Sequence, residues 1–160
     1  MERALRLRIK TVPPLNFDLS AAIFAGGDPQ IRTYENGKYW QVLRVPTKWI
    51  LSTISSSGTV DEPELAVELQ SNAAISNHDK KLTEEMIRSL FNLPFDLTAF
   101  YQEVKNDPIL SNLTQQLRGL KMNKLEALPA DDLGLRRHIA HYYCSDRRIS
   151  GEEARSIAEG

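Results

Sequence analysis

Apolar and cationic residues alternate over Leu5-Arg6-Leu7-Arg8-Ile9-Lys10, a period of two that puts the aliphatic side chains on one face of a strand and the charges on the other. Pro13-Pro14 ends that strand. Asp18 to Phe24, with an acidic start and Gly26-Gly27 behind it, reads as a short helix with a glycine stop. Asn36-Gly37 lies between segments rich in aromatic and branched residues, and that pair accepts positive φ at both central positions of a hairpin turn. Trp49 to Ser55 and Leu65 to Leu69 supply two further strands with Ser57-Gly58 as the turn between them. Residues 1–80 are therefore expected to form an antiparallel sheet domain of about five strands with one short helix.

Beyond residue 80 the period becomes helical, and residues 81–160 are expected to be a helical region. Thr83 is expected to cap a helix with Met86, Ile87, Leu90 and Phe91 on one face. Asp96 precedes Leu97, Phe100, Tyr101 and Val104 in the same manner. Asp107-Pro108 sets a cap and a first-position proline before Ile109, Leu113 and Leu117, with Gly119 as the stop. A further helix starts near Asp131 and carries Leu135, Ile139 and Tyr142, and Ser150 with Glu153 forms a capping-box pattern for a last one. The fold class is α+β, sheet first and helices after.

Composition narrows the class without naming a function. The 160 residues are 41% hydrophobic and 26% charged, the balance of a soluble globular chain. No apolar run is long enough to span a membrane, no signal-peptide core opens the chain, and Cys144 has no second cysteine to pair with, so the cytoplasm is the expected compartment. The net charge of −1 conceals an uneven distribution. Residues 1–50 carry eight Lys or Arg against four acids, residues 61–70 four acids and no base, and residues 108–150 seven bases against four acids. Two basic regions are thus candidates for phosphate contact, and a solvated mixed surface is the alternative.

Few residues offer chemistry. His138, His141 and Cys144 follow one another at helical spacing, but the paired cysteines and fourth ligand of a structural zinc site are absent from the sequence, so no metal is assigned. Gly26-Gly27 follows a helix and has no third glycine or Lys-Ser/Thr pair, so no nucleotide loop and no cofactor are assigned either. Asp131-Asp132 differs, because two carboxylates at a helix start meet free N–H groups and the positive end of the helix dipole. Both can cap. Alternatively one caps while the other projects, ionised, to stabilise developing positive charge or to activate water.

The segment Leu128-Pro129-Ala130-Asp131-Asp132-Leu133-Gly134-Leu135-Arg136-Arg137 resembles the segment that carries the essential aspartate in DNA-3-methyladenine glycosylases of the helix-hairpin-helix superfamily. Ser150 to Glu159 resembles the helix that follows it there. Gly26 to Gln30 with Tyr39 to Val42 is similar to the family's sheet domain, and Leu90 to Leu93 with Asp96 to Tyr101 to the helix leading from it. The resemblance implies a monofunctional hydrolase of base excision repair that flips an alkylated base out of double-stranded DNA and cuts its glycosidic bond with water. It maps the catalytic carboxylate to Asp132, gives Asp131 the helix start, and implies neither metal nor cofactor. It also implies association with the nucleoid when DNA is bound. In that family a block of helices with a glycine-rich hairpin separates the helix of residues 108–118 from the aspartate segment. Here Leu117-Arg118-Gly119-Leu120 runs directly into Lys121-Met122, so the block is expected to be deleted near 120/121, and the family's closing helix after Glu159 is expected to be absent too. Without that block the helices of residues 83–118 would expose apolar faces, which implies self-association. Two functions follow from the resemblance: a glycosylase acting through Asp132, or a catalytically inactive remnant serving as a DNA- or protein-binding module.

Overall fold

The computed structural model describes residues 4–24, 29–121, 136–137, 139–141 and 144–159. They fall into two compact units, Met1–Asn123 and Lys124–Gly160. The first is α+β. Its sheet is built from β1 (Leu5–Lys10), β2 (Arg32–Glu35), β3 (Lys38–Val45), β4 (Lys48–Ser56) and β5 (Glu64–Gln70), in the order β1-β5-β4-β3-β2 with every pair antiparallel. Four helices accompany it, α1 (Phe17–Phe24), α2 (Asn77–Leu90), α3 (Thr98–Val104) and α4 (Pro108–Gln116). The change from strand to helix periodicity near residue 80 thus lies inside this unit.

The period-two patterns translate directly into sheet faces. Leu7, Ile9, Tyr39, Leu43, Val45, Ile50, Ile54, Leu65, Val67 and Leu69 are buried on one side, where Phe17 and Ala21 of α1 and Ile87, Phe91 and Leu93 close over them. The turn between β2 and β3 is the expected Asn36-Gly37, at φ of 53° and 73°, the left-handed pair that a two-residue hairpin requires. Phe91 is the central ring. Its centroid lies 5.4 Å from Phe17, 5.6 Å from Phe24 and 5.5 Å from Tyr39, the last two edge-on, a geometry that aligns the positive ring edge with a negative ring face.

The start of α2 corrects one expectation. Thr83 is not a cap: it lies fully buried within the helix, and its hydroxyl donates to the Asp79 carbonyl at 2.8 Å. The cap is Ser76, whose Oγ accepts from the Asp79 N–H while the Asp79 carboxylate accepts from the Ser76 N–H. This reciprocal box satisfies two helix-end donors more than a turn ahead of Thr83 and so fixes the earlier start. Lys48 of β4 donates to the same Asp79 carboxylate at 2.8 Å, which ties the helix to the sheet. Met86 also departs from the expected face, standing exposed while Ile87 is buried. Farther on, Asp107 caps α4 by accepting from the N–H groups of Ile109 and Leu110, with Pro108 behind it. Asp96 sits one position ahead of the α3 cap and accepts from the Thr98 N–H at 2.8 Å.

No described residue of α4 is buried. Ile109, Leu110, Leu113 and Leu117 are exposed and, with Phe100 of α3, form an apolar face. The chain then turns at Gly119, φ +80°, whose carbonyl accepts from the Asn16 N–H at 2.7 Å and whose N–H donates to Tyr101 Oη at 2.8 Å. Lys121 is buried behind it, its backbone N–H on Ser20 Oγ and its Nζ on the Val12 carbonyl at 2.7 Å. Burial pushes this ammonium below the usual lysine range, with the Asp96 charge opposing the shift. Among the described residues no helix is long and apolar enough to cross a membrane.

Two outcomes are expected. The Lys48 and Ser76 bonds hold Asp79 down at about 2, from an ordinary 3.8. A carboxyl depressed on folding stabilises fully above its unfolded value and loses that contribution as pH falls through its folded one. Thermal melts of the intact chain should therefore drop steadily between pH 4 and 2, and Asp79→Asn should flatten that drop; an equally steep drop in the variant would refute the assignment. At Gly119 a Cβ would lie 2.5 Å from the Asn16 nitrogen, whereas at Gly37 it meets nothing within 4 Å. Gly37→Ala should cost about 1–2 kcal/mol, the left-handed backbone term alone, and Gly119→Ala distinctly more in urea unfolding.

Candidate nucleic-acid interface

The second unit is small, and its core is correspondingly spare. Ile139, Ala140, Ile149 and Ala154 are buried together, with Cys144 and Ile157 packed against them. Residues 136–137 and 139–141 are helical, and α5 (Gly151–Glu159) follows. α5 begins as expected: the Glu153 N–H donates to Ser150 Oγ at 3.1 Å and the Ser150 N–H to Glu153 Oε2 at 2.9 Å. Between the two helical segments the chain reverses at Ser145 and Asp146, both left-handed at φ of 50° and 62°. The N–H groups of Cys144 and Asp146 both donate to the Ala140 carbonyl, satisfying acceptors that a helix end leaves open. The reversal brings Arg147, Arg148 and Ile149 back beside the helix they left.

Helical spacing then decides which cations face inward. Ile139 and Ala140 are core residues, so Arg136, three and four positions earlier, shares their side of the helix. Arg136, Arg137, Ala140, Asp146, Arg148 and Ile149 line a concavity of about 690 Å³. Among the described lining residues, Ala140 and Ile149 are apolar and three arginines stand against one carboxylate. That carboxylate is engaged: Asp146 Oδ1 lies 2.9 Å from His141 Nδ1. Arg136 Nε is buried without a hydrogen-bond partner, and an unmet buried donor costs about 1–3 kcal/mol. Arg137 and Arg148 form no ion pair or hydrogen bond with a described residue.

Several of the other described basic side chains anticipated for phosphate contact are occupied within the fold. Arg6 pairs with Glu68 at 3.2 Å and Arg8 with Glu64 at 2.7 Å across the β1–β5 ladder. The acidic stretch at residues 61–70 is therefore the counterpart of the basic N-terminal strand. Arg118 makes a two-pronged contact with Asp61, which holds that carboxyl below its usual range. Arg88 pairs with Glu84, Arg147 with Glu153, and Arg44 stacks over the exposed Trp49 at 5.5 Å from the ring centroid. Sequence counting finds the surplus of bases over residues 108–150 but not which of them lack partners, since the pairing acids sit far away in the chain.

The remaining sequence candidates divide between described and undescribed positions. Asp131 and Asp132, Gly26-Gly27, His138, Leu135 and Tyr142 lie outside the described residues. His141 is exposed and faces Asp146, while Cys144 is half-buried against the core. Trp40 is half-buried on the outward sheet face, opposite Thr53.

Known proteins resemble the chain at two levels. The sequence profile of the 8-oxoguanine DNA glycosylase N-terminal domain matches residues 12–128. Among solved structures, a 3-methyladenine DNA-glycosylase from Archaeoglobus fulgidus superposes with a TM-score of 0.59 at 16% identity, over 95% of this chain and 48% of that one. The chain thus spans about half the length of that structure, and the likeness is one of fold. No curated protein matches in sequence.

Proposed function

The chain belongs to the 8-oxoguanine DNA glycosylase N-terminal domain family, and from that premise we propose that it acts in DNA repair as a glycosylase, hydrolysing the N-glycosidic bond of alkylated bases in double-stranded DNA through Asp132. One observation carries the reading: the matched stretch at residues 12–128 runs straight into the acid pair Asp131-Asp132. The choice of alkylated bases rests on the likeness of residues 128–137 to the aspartate segment of 3-methyladenine glycosylases. The Archaeoglobus fulgidus enzyme, alike in fold, bears that name.

The chemistry asks little beyond a placed carboxylate. An N-alkylated purine carries positive charge, so it leaves as a neutral base when the electron pair of the C1′–N bond goes to it. The sugar is left as an oxocarbenium ion, which an ionised Asp132 stabilises across the ring. Water then adds to C1′ and gives up one proton, to Asp132 or to solvent. In this scheme Asp131 serves as the helix cap, a role that asparagine fills equally well. No metal and no cofactor takes part in it.

Single-turnover release of methylated purine from an alkylated duplex tests the proposal. The unmodified chain should release base, Asp132→Asn should release it at least about 100-fold more slowly, and Asp131→Asn should stay close to the unmodified rate. Release only from a duplex bearing 8-oxoguanine would overturn the substrate class. Failure to release either base, with circular dichroism showing a folded chain, would overturn the enzymatic reading.

A further inference from the structure

We propose that the concavity bounded by Arg136, Arg137 and Arg148 is a seat for a backbone phosphodiester of duplex DNA. The inference rests on the DNA-directed reading above and assigns residues to contact that the resemblance leaves unassigned. Three features single the place out. Among its described lining residues three arginines stand against one carboxylate, and that carboxylate already has His141 beside it. The neighbouring Arg147 is held by Glu153, so the surplus of positive charge is local to the rim. Arg136, half-buried, lines the same concavity, and its Nε is a buried donor with no acceptor.

A planar guanidinium presents two N–H groups in a fork that matches two phosphate oxygens. Two of the three arginines, Arg137 and Arg148, are exposed, so the anion reaches them without opening the core. The apolar floor of Ala140 and Ile149 keeps water away from one side of the contact, where a charged hydrogen bond is less screened. A phosphodiester fits better than an isolated anion because a cationic rim open to solvent gains most from a polyanion whose condensed counterions are released on binding.

The test is the salt dependence of binding to a fluorescein-labelled alkylated duplex, read by anisotropy with the intact chain between about 50 and 200 mM salt. Each phosphate contact contributes a slope of about −0.9 in log K against log salt. The double variant Arg137→Gln/Arg148→Gln should therefore lose about one unit of slope, that of a single phosphate, and bind about ten-fold more weakly at the low-salt end. Arg137→Lys/Arg148→Lys should keep the slope. Arg6→Gln/Arg8→Gln removes the same net charge from groups already paired with Glu68 and Glu64 and should leave the slope unchanged. Thermal melts alongside identify any variant that is misfolded, and the single variants Arg137→Gln and Arg148→Gln, each expected to lower the slope, then carry the comparison. DNA binding with an undiminished slope in the glutamine pair at residues 137 and 148 would overturn this inference and leave the glycosylase reading standing. No binding of the unmodified chain to DNA would overturn both, and saturable binding of inorganic phosphate alone would make the site one for a free anion.

Discussion

The first unit depends on the packing of Phe91 at the end of α2. Its ring touches Phe17 and Phe24 of α1 and Tyr39 of β3, so one side chain joins two helices to the inner face of the sheet. Removing it would leave three aromatic rings without a shared neighbour and open a cavity, a change that typically costs several kcal/mol. The segment just beyond depends on the same placement: the Leu93 carbonyl accepts from the Val12 N–H and from Thr11 Oγ1, which fastens the exit of α2 to the exit of β1. At its other end α2 is held by the Asp79 carboxylate between Ser76 and Lys48. α2 is thus secured at both ends over the apolar face of the sheet.

Charge is organised differently in the two units. In the first, several bases are matched to acids across strands and loops, as with Arg6 and Glu68 or Arg118 and Asp61. Exposed pairs of this kind add little stability, of the order of 0–1 kcal/mol each, but they cancel the field that the N-terminal strand would otherwise project. In the second unit Arg136, Arg137 and Arg148 lack such partners among the described residues. These guanidinium groups thus lie in the same unit whose sequence also holds Asp131-Asp132.

Local signals in the sequence carry several elements directly. The alternation in Leu5 to Lys10, the Asn36-Gly37 turn, the Asp107-Pro108 start and the Ser150-Glu153 box each act within a few residues, and the structure shows them all. The start of α2 was misread because the apolar stripe begins only at Leu82, while the box at Ser76 uses Asp79 where glutamate is the commoner partner. That aspartate is further secured by Lys48, 31 residues earlier, a contact no local pattern encodes. The same holds for the basic strand β1, whose neutralising acids lie 56 and 62 residues along the chain. Sequence placed the candidate carboxylate at Asp132, which lies outside the described residues; the arginines that remain unpaired could be identified only after their competitors had been matched.

The junction formed by Gly119 and Lys121 has a consequence for biosynthesis. The Asn16 N–H is satisfied by the Gly119 carbonyl, and the Val12 carbonyl by a lysine 109 residues later. On the ribosome, where a domain is made in order from its first strand, the segment that enters α1 must wait with these groups on water until residue 121 has left the exit tunnel. The sheet and α2 can assemble beforehand from contacts already synthesised. Completion of this unit is therefore timed by residues 119–121, and while residues 71–121 are being made the young chain is a sheet with an open seam at residues 12–20.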